Sequence, residues 1–236
     1  MTISLGTVHR VSDDYDSGTT INFSFTINAG PSLLIVTALQ QRDLSPPLNE
    51  PSLTVDSVSV TKIAGTYHYG AEPFNNQPNL SVFLVPSIAT GTRNFQVTLS
   101  ENTRGYIFWG IELSGIDTAN PIGASASGSG WWSSPEGTIT TEQDNALVLA
   151  LFAMRGGDSY PFSVSSPASL NILDDHTPDA LNVNEIHAAI ASYTQATAGA
   201  QLYEVTAPVS DYALAAVLEL RAAATAAKRR KLFLAM

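Results

Sequence analysis

Hydrophobic and polar residues alternate along several short stretches of the chain. The clearest is TINFSFTI, in which Ile21, Phe23, Phe25 and Ile27 are separated by polar residues. Successive side chains of a β-strand point to opposite faces of the sheet, so this pattern predicts a strand over Thr20–Ile27 with one buried face. Similar patterns predict strands at Thr2–Val11, Leu53–Ile63, Leu80–Val85, Phe95–Leu99, Tyr106–Leu113, Thr138–Thr141 and Ile186–Tyr193, with Ala168–Leu173 as a further candidate.

Three other stretches are almost continuously apolar: Ser32–Gln40, Ala146–Met154 and Tyr212–Leu220. The last two are rich in Ala and Leu, which favour helices. Each is nevertheless short and follows turn residues, so we interpret all three as strands covered on both faces. From Arg221 onward the Ala-rich sequence predicts a helix, and the Gly/Ser/Ala stretch Gly123–Gly130 predicts a flexible loop.

Proline and glycine lie mostly between the predicted strands, as in Pro46-Pro47 and Gly156-Gly157. Closely spaced strands without intervening helices are typical of two packed antiparallel sheets. The sequence therefore predicts an all-β, antiparallel two-sheet sandwich of jelly-roll type. We expect one sandwich domain over residues 1–220, followed by a short C-terminal extension over residues 221–236.

Composition narrows the functional classes. Charged residues make up 14% of the chain, and the formal net charge is −10. An acidic body disfavours binding to nucleic acid, which requires Lys and Arg to neutralise phosphates. The absence of cysteine excludes disulfides and zinc–thiolate sites. No apolar stretch is long enough to span a bilayer, and the N-terminal residues do not resemble a signal peptide.

The middle of the chain resembles a known module. The order VDSVSVTKIAG, LSVFLVPSIATGTRNFQVTLS, YIFWGIELSGID, TITTEQDNALVLALFAM and DYALAAVLEL is similar to a β-sandwich module of predicted virion proteins of tailed bacteriophages. The likeness covers roughly Leu53–Leu220 and concerns strand order and turn residues. It contains no catalytic motif.

This resemblance implies a non-enzymatic structural protein located in the virion and made in the host cytoplasm. The implied roles are capsid decoration, a head spike or fibre, or a tail-associated component. Its partners would be other virion proteins of the capsid or tail, and we expect a homo-oligomer. The alternative is a carbohydrate-binding adhesion module that recognises a host glycan. Neither role requires a cofactor or a metal.

Several polar residues are candidates for a catalytic or metal site. His176 follows Asp174 and Asp175, and His187 lies further along the chain, but their spacing matches no ligand motif. We interpret LDDHTPD as a polar loop and His187 as facing a sheet edge. The acidic stretch Asp13–Gly18 fails the EF-hand pattern, because the twelfth position counted from Asp14 is Phe25.

The sequence also gives little support for a catalytic serine or for a catalytic pair of carboxylates. Ser127 lies in no nucleophile motif. Glycoside hydrolysis would require two carboxylates across a cleft. The candidate pairs are Glu112 with Asp117 and Glu142 with Asp144, and the sequence places neither pair in a cleft.

The adjacent Trp131 and Trp132, in GSGWWSSPEG, are a candidate contact for a glycan or a subunit interface. Flat aromatic rings stack on sugars and are also enriched at protein interfaces. We favour packing, with one ring on the sheet and the other at an interface, over ligand binding. Trp109, Tyr67, Tyr69 and Phe74 are further candidate members of a sugar-binding aromatic platform.

The C-terminal extension differs from the body in charge. Residues 1–221 carry seven bases against 21 acids, a formal charge of −14, whereas the residues after Arg221 carry +4. Its bases precede apolar residues, so we predict an intersubunit arm that lies on an acidic neighbour while its apolar residues enter a groove. The arm comprises Lys228, Arg229, Arg230, Lys231, Leu232, Phe233, Leu234 and Met236.

Overall fold

The computed structural model of the chain describes residues 2–13, 19–28, 32–41, 51–63, 78–99, 103–155, 161–177 and 186–224. These residues form only β-strands, turns and connecting segments, so the prediction of an all-β antiparallel sandwich is confirmed. No helix among them is long and apolar enough to cross a membrane.

The strands divide the chain into an N-terminal half (Ser4–Ser114) and a C-terminal half (Ile122–Leu220). The N-terminal half contains β1 (Ser4–Asp13), β2 (Thr20–Ile27), β3 (Ser32–Gln41), β4 (Ser52–Val55), β5 (Val58–Val60), β6 (Pro78–Val85), β7 (Gly91–Thr98) and β8 (Thr103–Ser114). The C-terminal half contains β9 (Ile122–Trp132), β10 (Glu136–Thr141), β11 (Ala146–Arg155), β12 (Ser163–Ser166), β13 (Asn171–His176), β14 (Ile186–Gln195), β15 (Gly199–Thr206) and β16 (Asp211–Leu220).

These strands form four sheets rather than the predicted two. The N-terminal half forms a first outer sheet, β2-β7-β4-β5, and a first inner sheet, β1-β8-β3-β6. The C-terminal half forms a second inner sheet, β13-β14-β11-β16-β9, and a second outer sheet, β10-β15-β12.

Three apolar cores separate the four sheets. One core lies between the two inner sheets and contains Val36, Trp109, Leu149 and Leu218. The other two cores fill the space between each inner sheet and its own outer sheet. Both inner sheets are therefore buried on both faces, which explains the continuous apolar runs in β3, β11 and β16.

Pairing within the N-terminal half is nested: β1 pairs with β8, β2 with β7, β3 with β6 and β4 with β5. The C-terminal half repeats three of these pairs, as β9 with β16, β10 with β15 and β11 with β14. Among the described strands the corresponding fourth pair, β12 with β13, does not form, because β13 pairs with β14 in the inner sheet. The N-terminal half shows a smaller version of this contact. Shortly after β5, Lys62 forms an isolated β-bridge with Phe83 of β6 in the inner sheet.

Several sequence predictions fail in detail. Leu53–Ile63 is a hairpin of two strands, because Asp56 and Ser57 adopt positive φ angles of 47° and 69° and turn the chain. Gly123–Gly130 is part of strand β9, which pairs along its length with β16. Strand β16 ends at Leu220 as predicted, and Ala222 then bridges to Ile116 instead of starting a helix.

Candidate functional site

The two adjacent tryptophans lie at the end of edge strand β9 and have different environments. Trp131 is 60% exposed, the highest value for any described aromatic residue. Trp132 packs against the core of the C-terminal half, and its ring covers Gly130 so closely that a Cβ there would lie 2.6 Å from the indole Nε1. Of the pair, Trp131 presents the free ring surface.

Trp131 lies beside an ion pair contributed by two neighbouring strands. The guanidinium carbon of Arg155, at the end of β11, lies 5.7 Å from the centroid of the Trp131 ring. The Arg155 side chain donates to Oδ1 of Asp211, at the start of β16, over 2.9 Å. The surface therefore combines an exposed aromatic ring with a polar pair of no net charge.

A second polar cluster joins the two halves where β1 lies against β13. Arg10 donates two hydrogen bonds to the carboxylate of Asp174, over 2.7 and 2.9 Å. Asp174 also accepts a 2.7 Å hydrogen bond from the indole of the fully buried Trp109. Ser12 Oγ lies 2.8 Å from His176 Nε2. Leu173–His176 lies in strand β13, so the expectation that LDDHTPD is a polar loop is wrong for these residues.

The adjacent Asp175 points the opposite way, as strand alternation requires. Its carboxylate contacts His187 Nε2 at 2.5 Å and accepts a 2.7 Å hydrogen bond from the backbone N–H of Phe162. The ring of Phe162 stacks on His187 with centroids 4.2 Å apart. His187 is 4% exposed, so the prediction that it faces a sheet edge is wrong.

Burial and the Arg10 guanidinium lower the pKa of His176, with burial as the larger cause. At neutral pH His176 is therefore an uncharged imidazole that holds Ser12. Among the residues that the structure describes, no group of three or more His, Asp or Glu side chains is placed to hold a metal ion.

The carboxylates considered for hydrolysis have structural partners. Glu112 is 1% exposed and accepts hydrogen bonds from His9 Nε2 and from the backbone N–H of Asn28, over 2.8 and 3.0 Å. Asp117 accepts backbone N–H groups in the turn that follows β8.

The second candidate pair, Glu142 and Asp144, also has structural partners. Glu142 forms a 2.6 Å ion pair with Arg221, and Asp144 accepts the backbone N–H of Ala198. Ser127 lies on β9 opposite Ala216 rather than in a loop.

Sequence reasoning missed a buried acid in the C-terminal half. Glu219 is 1% exposed, and its carboxylate accepts the backbone N–H groups of Ala124 and Glu142 over 3.0 to 3.1 Å. The sequence feature that could have indicated this acid is the dipeptide Glu-Leu, which occurs near the ends of both β8 and β16.

An open groove of about 1070 Å³ lies between β5 and the beginning of β9. Its lining includes Val58, Val60, Ile88, Pro121 and Ile122. Val58 is 69% exposed, more than any other large apolar side chain among the described residues. This groove was not predicted from the sequence, because it depends on the contact between the two halves.

Some predicted site residues lie outside the described residues. They are the arm residues Lys228, Arg229, Arg230, Lys231, Leu232, Phe233, Leu234 and Met236, the loop residues Asp14–Gly18, and the aromatic residues Tyr67, Tyr69 and Phe74. The intersubunit role of the arm therefore stays a prediction.

Comparison with known proteins places this chain in no family. No protein-family model matches the sequence, and no curated protein matches it.

Proposed function

We propose that the chain is a non-enzymatic structural protein of a tailed-phage virion, a surface decoration or a spike- or tail-associated component that assembles through subunit contacts. The observation that carries this proposal is the nested pairing of strands in both halves. That order supports assigning the halves to the jelly-roll type, which is used by viral capsid and lectin domains. The likeness of strands and turns over Leu53–Leu220 to virion modules supports the same role.

The disposition of polar groups also supports a structural role. Glu112, Glu219 and Asp175 are engaged with backbone N–H groups. The cluster of Arg10 and Asp174 joins the two halves instead of lining a described cleft. These contacts use the acids to hold neighbouring segments of the chain together.

The first residues of the proposed arm are held to the body by backbone hydrogen bonds. Asp117 N donates to Arg221 O over 2.8 Å, and Ala223 N donates to Gly115 O over 2.7 Å. Chain ends are ordered only when such contacts tie them down. The basic residues that follow would therefore leave the body from a fixed point, as an arm that reaches a neighbouring acidic copy requires.

The test is to purify particles of the phage that encodes this chain and to quantify their proteins by mass spectrometry. A structural component should be present in a fixed number of copies per particle and should remain after a high-salt wash. Particles that lack the chain would contradict the proposal. Sedimentation of the isolated protein should also show association that weakens when Lys228, Arg229, Arg230 and Lys231 are replaced by Glu.

A second candidate function is glycan binding at Trp131, because this ring is exposed beside the Arg155–Asp211 pair. Aromatic rings stack on the apolar faces of sugars, and flanking polar side chains bind the hydroxyl groups. The test is a glycan array with the native protein and a Trp131→Ala variant. Binding that is lost with Trp131→Ala, while sedimentation is unchanged, would support adhesion; no binding by the native protein would exclude it.

A further inference from the structure

The groove beside Val58 has two firmly held walls. One wall is the β4–β5 hairpin, whose Asp56 accepts a 3.1 Å hydrogen bond from Asn94 N and pairs with Arg93. The backbone hydrogen bond from Asn94 lowers the pKa of Asp56. The hairpin holds Val58 at a fixed place where its side chain is exposed to solvent.

The other wall is the segment that joins the two halves, residues 117–123. The Asp117 carboxylate accepts hydrogen bonds from the backbone N–H groups of Ala119 and Asn120, over 2.9 and 3.2 Å. Pro121 O accepts a 2.9 Å hydrogen bond from Arg221 N. The groove is therefore preformed, and a ligand would not have to order its walls on binding.

The groove is lined by apolar side chains together with the charged Asp56, Lys62 and Arg93. Val58, Val60, Pro121 and Ile122 line it, together with the buried Ile88. An exposed apolar surface bounded by fixed backbone is typical of an interaction site. A volume of about 1070 Å³ is sufficient for several side chains.

The position of the last described residues indicates which segment fits. Arg221 N donates to the carbonyl of Pro121, a residue that lines the groove, and the chain then continues past Ile116 and Gly115 to Ala224, the last described residue. The 12 residues after Ala224 can span at most about 40 Å when extended. Their final part, Leu232–Met236, reads LFLAM and is the apolar end of an otherwise basic segment.

We propose that this groove binds Leu232–Met236 of a second copy of the chain, so that each copy offers one arm and one groove. This inference rests on the proposed assembly function and names the surface through which assembly occurs. An arm and a groove at different places form a head-to-tail contact, which builds rings or longer arrays. If the arm bound the groove of its own copy, neither the arm nor the groove would be available for contact with another copy.

The chain has no cysteine, so single engineered cysteines report contacts without background. Full-length Val58→Cys protein is mixed with full-length Phe233→Cys protein under mild oxidation. We expect a disulfide-linked dimer that contains one copy of each variant. The matched control is Val209→Cys with Phe233→Cys, since Val209 is an exposed valine, 40% accessible, that does not line the groove.

Three results would overturn the proposal. Equal crosslinking at Val209 would show that the arm has no specific site. An absence of crosslinking in both mixtures would exclude the groove as the arm's site. A chain carrying both Val58→Cys and Phe233→Cys that crosslinks within one monomer, while the mixture yields no dimer, would show that the arm occupies its own groove.

A second measurement separates this inference from the assembly function itself. Val58→Arg in the full chain should raise the dissociation constant for self-association at least tenfold by sedimentation, whereas Val209→Arg should leave it within about twofold. If Val58→Arg associates like the native protein and the chain is still found in particles, the groove assignment fails while the structural role stands. If the native chain neither associates nor occurs in particles, the proposed function itself fails.

Discussion

Glu112 and Glu219 occupy equivalent positions in the two halves of the chain. Each lies opposite a β-bulge in the neighbouring strand. Glu112 is opposite the bulge between Leu5 and Val8, and Glu219 is opposite the bulge between Ile122 and Ser125. Each accepts the first backbone N–H after the second strand of its half, from Asn28 and Glu142 respectively. The two buried carboxylates thus perform the same structural task.

Replacing Glu219 by Gln should reduce the free energy of unfolding by about 2 kcal/mol, because an amide nitrogen would then face a buried backbone donor. Urea denaturation followed by circular dichroism measures this change. Glu136→Gln is the matched control, because Glu136 is exposed on β10, and it should change stability by less than about 0.5 kcal/mol. Equal effects of both substitutions would refute a structural role for Glu219.

Gly123 should not tolerate a side chain. A Cβ at this position would lie 2.5 Å from Glu219 Oε2. Gly123→Ala should therefore cost about 1–3 kcal/mol of stability through overpacking. In a double-mutant cycle with Glu219→Ala, the two losses should not add, because removing the carboxylate removes the clash. Additive losses would show that Gly123 is required for another reason.

The two halves should unfold together, because the core between the inner sheets takes residues from both. Leu149→Ala in this core should cost about 2–5 kcal/mol. Tryptophan fluorescence and far-UV circular dichroism should give superimposable urea transitions for both native and variant proteins. Two separated transitions in the native protein would contradict this expectation.

Truncation of the two adjacent tryptophans should affect the stability of the protein to different extents. Trp132→Ala should lower the stability by about 2–3 kcal/mol, because its ring packs on the core of the C-terminal half. Trp131→Ala should change stability by less than about 0.5 kcal/mol, because its ring is 60% exposed. Thermal unfolding of both variants tests this contrast, and similar melting temperatures would contradict it.

Stability should fall as the pH is lowered through the titration of His176. Its pKa is lowered in the folded protein from the ordinary value of 6.5, so the unfolded chain binds the proton more readily. The associated stability is fully present above about pH 6.5 and decreases toward the lower pKa of the folded state. His176→Gln should show a smaller loss of urea stability between pH 7.5 and pH 5; an unchanged slope would assign the effect to other groups.

Much of the fold could be predicted because its apolar pattern is local. Thr20–Ile27 is a strand with the predicted bounds, and Ala146–Arg155 is a strand despite its Ala and Leu content. β9 could not be predicted, since its Gly, Ser and Ala residues have little strand preference and depend on pairing with β16. β15 was likewise missed, although Tyr203 and Val205 are fully buried.

The repeated architecture and the candidate sites depend on contacts between residues distant in sequence. Arg10 and Asp174 are separated by 164 residues, so no local pattern could bring them together. The groove arises from β5 and β9, which belong to different halves. The sequence could indicate only that one of Trp131 and Trp132 packs on the sheet while the other does not, because two adjacent large aromatic residues are hard to bury together.

The bridge between Ala222 and Ile116 determines how the body would respond to a mechanical load on its C-terminus. A pull on the extension would first reach the backbone hydrogen bonds that link Ala223 with Gly115 and Arg221 with Asp117. Those bonds connect the ends of the two halves, so tension would be shared between them before β16 could peel from its sheet.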